Sequence, residues 1–366
     1  MRSESKRSGA GAAQPRGRGA SRNVKSRFDR FETVPLDDGD HAGFEDETES
    51  PPTSLTADNA RTIIATNDSP DVPFTQSINS YRGCEHGCVY CFARPSHAYL
   101  DLSPGLDFET RILYKPNAPE LLRQELAKAS YRCSPLAMGT NTDPYQPAER
   151  RLRLTRSIIE VLSEHRHPVS IVTKSNLVTR DLDLLAPLAR ENLASVFFSI
   201  TTLHPKLART MEPRASTPRR RLEAMARVVG AGVPTGVLAS PMIPGLNDSE
   251  LESILEAAAA AGAGTAGYIL LRLPHEVKIL FTEWLERHYP TRAKKILNRL
   301  REMRGGDLND PRFEARHTGE GNHAALLRRR FEIACRRLGL NLERSRLDCS
   351  RFRVPGRPGP QLRLFG

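Results

Sequence analysis

Residues 154–200 read LTRSIIEVLSEHRHPVSIVTKSNLVTRDLDLLAPLARENLASVFFSI. Leu154–Glu164 carries apolar residues at helical spacing, Val169–Thr173 is a short β-branched run, Leu182–Glu191 is again amphipathic, and Val196–Ile200 is a second apolar run. Strands separated by helices of this length are βα units, and a crossover of that kind pairs its strands in parallel. The alternation continues in both directions. Leu136–Gly139 precedes it, and Gly236–Ala239 and Tyr268–Arg272 follow, with helices expected over Pro119–Ser130, Pro218–Val229 and Asp248–Ala261. Ala257–Ala261 is a strong helix former that stops at Gly262. The expected fold is therefore α/β, a partial (β/α) barrel of about six parallel strands, with ligands gathering at the C-terminal strand ends.

Composition changes on either side of this region. Residues 1–30 carry nine Lys/Arg and two acids, and residues 31–50 carry eight acids and no Lys or Arg. Blocks this polar bury too little apolar surface to offset ordering entropy, so residues 1–58 are expected as a disordered basic-then-acidic tail. The barrel is expected over 59–284. Residues 285–354 form a basic helical extension, and the last 82 residues hold twenty Lys/Arg against nine acids, out of a whole-chain net charge of +11. Localised positive charge favours a polyanion, nucleic acid first. The alternative is a generally Arg-rich surface. Residues 355–366 form a flexible tail. No apolar run reaches the length of a membrane span and the start lacks a signal-peptide core, so a cytoplasmic protein with no membrane partner is expected.

Three of the six cysteines fall in one line, Tyr81-Arg82-Gly83-Cys84-Glu85-His86-Gly87-Cys88-Val89-Tyr90-Cys91. The C-x3-C-x2-C spacing lets three thiolates face one inorganic core if the backbone wraps around it, and Gly83 and Gly87 allow that wrapping. A cubane needs a ligand on each of four irons, so three local cysteines leave one iron open. Zinc is the alternative, with His86 as fourth donor. However, zinc sites usually add a distant second pair, and Cys133, Cys335 and Cys349 form none.

The motif, with Tyr90 before its last cysteine, resembles the radical S-adenosylmethionine superfamily. The strings Ser77-Ile78-Asn79-Ser80-Tyr81-Arg82-Gly83-Cys84 and Thr142-Asp143-Pro144-Tyr145-Gln146-Pro147 are similar to the branch related to spore photoproduct lyase, a DNA-repair enzyme. The resemblance implies a [4Fe–4S] cluster on Cys84, Cys88 and Cys91. It also implies S-adenosylmethionine on the open iron, reductive cleavage to a 5′-deoxyadenosyl radical, and a reductase or flavodoxin-type electron donor. In spore photoproduct lyase a cysteine beside the second strand returns a hydrogen atom to the product. The matching position here is Thr140, a poor hydrogen-atom donor, which argues against the same reaction. No catalytic residue is therefore assigned.

Contacts to S-adenosylmethionine are sought at the strand ends. They are Tyr90, Gly139-Thr140-Asn141, Lys174 closing the strand Val169–Thr173, Ser199 with Thr201 and Thr202, Glu212 with Arg214, and the Ile243–Gly245 backbone. Lys174 suits the methionyl carboxylate. Each has an ordinary alternative: an Asx turn at Asp143, a solvated Lys174, a Glu212–Arg214 ion pair, a helix cap at Asp248. Arg272 is a candidate substrate contact, and Trp284 is a core residue before it is a stacking platform. The chain closes on Gln361-Leu362-Arg363-Leu364-Phe365, similar to the pentapeptide with which bacterial repair proteins bind the sliding clamp. Two rival functions stay open: radical chemistry on a peptide or small molecule, and a non-catalytic iron–sulfur module at DNA.

Overall fold

The computed structural model describes residues 15–29, 51–342 and 346–354. Ten strands form two sheets: β1 (Ser54–Ala57), β2 (Ile64–Thr66), β3 (Gln76–Ile78), β4 (Tyr81–Arg82), β5 (Arg111–Tyr114), β6 (Leu136–Met138), β7 (Val169–Thr173), β8 (Ala194–Ser199), β9 (Thr235–Met242) and β10 (Thr265–Leu270). The larger sheet runs β10-β9-β8-β7-β6-β3-β2. From β3 to β10 every pairing is parallel, which gives six parallel strands, and β2 joins antiparallel at the far edge. The smaller sheet, β1-β5-β4, leads into the cysteine line. The sixth parallel strand, β3, has three residues, too few to show a pattern in sequence.

Strand limits follow their partners. Ala194 lies opposite Val169, so β8 begins two residues earlier than its apolar run. Thr265 lies opposite Gly236, which shifts β10 toward the N-terminus of the expected run. Along β7, Val169, Ile171 and Thr173 are buried while Ser170 and Val172 are half-buried. That alternation fits one face against helices and one toward an incompletely closed interior.

The helical layer comprises α1 (Ala118–Leu126), α2 (Leu154–Glu164), α3 (Leu182–Arg190), α4 (Pro218–Gly230) and α5 (Leu251–Ala260). In α2, Ile158, Ile159, Val161 and Leu162 are fully buried and join the core beneath β6–β8. Removing one such side chain to Ala costs about 2–5 kcal/mol.

Helices α6 (Val277–His288), α7 (Pro290–Glu302) and α8 (Gly321–Leu338) supply the basic extension. They do not form a unit apart. Leu280, Phe281, Trp284, Ile296 and Leu300 share one core with Cys88, Tyr90 and Ile243. Ala324, Leu327 and Cys335 enter the main core. Trp284 is a core residue whose indole N–H donates to the Thr210 carbonyl at 3.0 Å. Asn341 covers the β10 edge, accepting from Ala266 N at 2.9 Å and donating to Ala266 O at 3.0 Å. That leaves less free edge for another chain.

Within the stretch 1–58, two described segments are placed on the domain. Residues 15–29 lie against the domain and residues 54–57 form β1. The cause is specific anchoring rather than bulk hydrophobicity. Arg18 is buried and donates to the Glu109 carbonyl at 2.9 Å, while Gly19 N and Ala20 N donate to the Glu109 carboxylate at 2.9 and 2.8 Å. Among the described residues no helix is long and apolar enough to cross a membrane. Gln361–Phe365 lies outside the described residues.

Candidate active site

The cysteine line is a loop of turns after β4. Gly87 N donates to Cys84 O at 3.3 Å and Cys91 N to Cys88 O at 3.2 Å, so the chain coils around its own thiols. Gly83 and Gly87 have φ of +84° and +66°, conformations an L side chain rarely adopts. The loop is held from outside by buried polar groups. Gln146 accepts from Glu85 N at 2.9 Å and donates to Gly83 O at 3.2 Å. Arg94, fully buried, donates to Cys88 O at 2.8 Å and pairs with Glu109. Glu109 therefore ties the loop and the N-terminal arm to one carboxylate. Cys84 and Cys88 are buried and Cys91 is partly so.

These residues fit an iron–sulfur cluster. Burial, then the Glu212 carboxylate and Cys91, push the Cys88 thiol up to about 12, and burial, then Asp143, Cys88 and Cys91, raise the Cys84 thiol. The three thiols are near neighbours on one coiled loop, where a cationic core would replace their protons. Among the described residues no group of three or more His, Cys, Asp or Glu is set to hold a single metal ion. His86, the fourth donor of the zinc alternative, instead lies 3.4 Å from Asp143.

Successive strand ends contribute one residue each to the mouth above this loop. After β6, Asp143 accepts from Thr173 Oγ1 and Lys174 N, both at 2.7 Å. Burial raises its carboxyl, but His86 and these donors outweigh that and bring it down to about 2. After β7, Lys174 Nζ donates to Ser199 Oγ at 3.0 Å and lies 5.9 Å from the Tyr90 ring centroid. At the end of β8, Ser199 donates to Ser240 O at 3.1 Å. After β9, Ile243 packs with Cys88 and Tyr90, its N–H held by Asn247 Oδ1 at 2.6 Å.

Beneath Tyr90 sits a buried polar group. The Tyr90 hydroxyl donates to Glu212, Thr201 donates to the same oxygen at 2.5 Å, and Arg221 pairs with the other oxygen. Burial would raise the Glu212 carboxyl, but Arg221, Lys174, Thr201 and Tyr90 hold it at about 2. The structure therefore brings Tyr90, Lys174, Ser199, Glu212 and Ile243 around Cys88. Thr140 and Asn141 stand one strand further on, both bound to Asn79 at 3.1 Å. Gly139 has φ of +91°, and a Cβ there would come 2.1 Å from Val172 O. Arg214 is not part of the Tyr90 group: it pairs with Glu85 at 3.0 Å. The partner of Glu212 is Arg221, which sequence reasoning missed.

Of the other cysteines, Cys335 is in the α8 core with its thiol pushed up to about 11 by burial. Cys133 precedes β6, at the opposite strand ends, 3.6 Å from His167 Nε2.

The model of the radical SAM superfamily matches residues 78–258. The chain is 41% identical over 234 residues to an uncharacterized protein of Mycobacterium tuberculosis, covering 63% of this chain and 68% of that one. It is 28% identical over 222 residues to an uncharacterized protein of Methanocaldococcus jannaschii, covering 61% and 79%. Among solved structures, a spore photoproduct lyase variant superposes with a TM-score of 0.52 at 17% identity, over 78% of this chain and 80% of that one, a likeness of fold. The loop that coils its thiols under the C-terminal ends of six parallel strands thus coincides with the span of the family model, and the chain belongs to the radical SAM superfamily, whose members bind a [4Fe–4S] cluster and S-adenosylmethionine.

Proposed function

We propose that this radical SAM enzyme acts on a nucleic acid, with the cluster held by Cys84, Cys88 and Cys91. The observation that carries the substrate reading is at the mouth. Phe92, directly after the last cysteine, is 45% exposed, and the Arg272 guanidinium lies 4.8 Å from its ring centroid. Arg272 comes from the end of β10, so two distant segments build the pair. An exposed ring backed by a guanidinium is a surface on which a base stacks, worth about 1–3 kcal/mol per base. Burial, then Arg316, lowers the Arg272 pKa against the opposing charge of Asp71, and a polyanionic strand would offset both. The fold neighbour is named as a lyase of spore photoproduct, which agrees in substrate class.

Held by Cys84, Cys88 and Cys91, a cluster with S-adenosylmethionine would supply one-electron chemistry for abstracting hydrogen from a substrate. The chain's own residues position and exclude. Lys174 offers its ammonium to the carboxylate of the methionyl group. Tyr90, fixed by Glu212 and Thr201, closes the floor of the mouth, and Ile243 lines it with apolar surface that keeps water out.

The test is anaerobic product analysis of reconstituted enzyme with and without DNA. Deuterium carried from a labelled oligonucleotide into 5′-deoxyadenosine is the expected result. Formation of 5′-deoxyadenosine at an unchanged rate, with no deuterium from any DNA or RNA tested, removes the substrate reading and leaves the family assignment intact.

A further inference from the structure

A cavity of about 350 Å³ opens beside the mouth, between the loop that leaves β9, the first turn of α5, and helices α7 and α8. That volume equals about ten water molecules. Its lining is cationic. Arg292, Lys295 and Arg299 recur at helical spacing along one flank of α7, and Arg330 faces them from α8. Asp248 is the one lining carboxylate, and its Oδ1 accepts from Gly245 N at 2.8 Å.

Two of the four cations are already engaged. Arg330 is gripped by Glu252 at 2.6 and 2.7 Å, and Arg292 donates to Gly245 O. Among the described residues no side-chain hydrogen bond or ion pair engages Lys295 or Arg299. The surplus positive charge is theirs. Arg299 nevertheless has a defined place, since a Cβ on Gly245 would come 2.9 Å from its Nη1. Gly245, at φ +75°, lets the loop turn under that guanidinium.

The loop carrying Gly245 is the one whose Ile243 packs on Cys88 and Tyr90. One side of it therefore faces the cysteine loop and the other faces the cavity. The neighbouring strand, β10, ends at the Phe92–Arg272 pair. A chain that stacks a base there has its backbone within the same end of the barrel.

We propose that this cavity is a phosphate site that receives a backbone phosphodiester of the nucleic-acid strand presented at the mouth. This rests on the substrate reading above. A guanidinium with a neighbouring ammonium is a fork plus a point charge, the combination that holds phosphate. A free nucleotide or pyrophosphate presents the same chemistry, so the test separates the two sources.

Binding of a fluorescein-labelled DNA duplex and of inorganic pyrophosphate is measured on the full-length reconstituted protein over a range of salt. The double variant Lys295→Ala/Arg299→Ala is compared with Lys294→Ala/Arg301→Ala, which removes equal charge from parts of α7 that do not line the cavity. Cluster absorbance reports folding. The expected result is a loss of DNA affinity of about tenfold in the first pair and less than about threefold in the second. The salt slope is expected to fall by about one in the first pair. Equal affinity of both pairs and wild type for DNA overturns the site and leaves the nucleic-acid reading standing. Pyrophosphate binding that needs Lys295 and Arg299, in a wild-type protein with no affinity for DNA, overturns the strand as ligand and the substrate reading with it.

Discussion

Replacing Arg221 by Met isolates the buried charge pair beneath Tyr90. Arg221 is 1% exposed and Glu212 3%. In the wild type, Arg221 donates to Ser216 O at 2.7 Å, to Ser199 O at 2.8 Å and to the Glu212 carboxylate. Methionine fills much of the space but leaves Glu212 with Tyr90, Thr201 and the more distant Lys174. Breaking a buried pair on one side costs about 3–5 kcal/mol. Against its burial, Arg221, Lys174, Thr201 and Tyr90 together hold the Glu212 carboxyl down from 4.5 to about 2. A carboxyl depressed in the folded state adds stability above its unfolded pKa and loses it as pH falls from about 4.5 to about 2. Wild type therefore keeps this contribution from pH 7 to pH 5. In the variant the Glu212 pKa rises, so it takes up a proton in that window and regains part of the loss. Thermal unfolding of anaerobic, reconstituted protein, followed by circular dichroism, should show a midpoint lower by about 10 °C at pH 7 and a clearly smaller gap at pH 5. Glu212→Gln in the same background should recover part of the loss at pH 7. A gap below about 2 °C, or one that widens on acidification, refutes the reasoning.

Alanine at Cys84, Cys88 or Cys91 should abolish the cluster's visible absorbance after reconstitution, whereas Cys335→Ala should keep it; retention in any of the first three removes that ligand. Lys174→Ala should weaken S-adenosylmethionine binding about tenfold or more by equilibrium dialysis, with iron content unchanged, as expected for a charge-assisted contact; unaltered affinity takes Lys174 out of the site. Gly19→Ala should release the N-terminal arm, because the new Cβ would come 1.7 Å from Gly87 O. Limited proteolysis near residues 15–29 should quicken and the cluster should bleach faster in air; wild-type rates would show that the arm shields nothing.

What could be read in sequence and what could not divides along a physical line. The cysteine loop is legible because three thiols close along the chain stay close when the loop coils, and closeness along the chain is visible. Lys174 and Ser199 were legible because a residue that closes an apolar strand has its place fixed by the strand. Arg221 obeys neither rule. It stands in Pro218-Arg219-Arg220-Arg221, which reads as one solvated basic run. Yet the buried positions of α4 are Pro218, Arg221, Ala224, Met225 and Val228, a helical stripe that includes exactly one of the three arginines. The signal was present in the periodicity, but charge masked it. Glu212 was found with the wrong partner for a related reason. Its neighbour Arg214 is near in sequence, whereas the α4 stripe brings Arg221 to it in space.

The N-terminal arm marks the limit of compositional reasoning. Nine cations in thirty residues and few apolar side chains describe a segment that cannot build a core of its own. Residues 15–29 do not need one. Glycine at position 19 lets two backbone N–H groups reach one buried carboxylate, and Arg18 reaches the carbonyl of the same residue. The arm is ordered by a site on the domain, and that site, Glu109, is also the partner of the arginine that holds Cys88 O. Folding the arm and shaping the cysteine loop therefore draw on one carboxylate. A change at Glu109 should disturb both together, while a change at Gly19 should free the arm first and reach the loop through Gly87. That order of effects, arm before cluster for Gly19→Ala and both at once for Glu109→Ala, distinguishes a coupled anchor from two contacts that happen to share a residue.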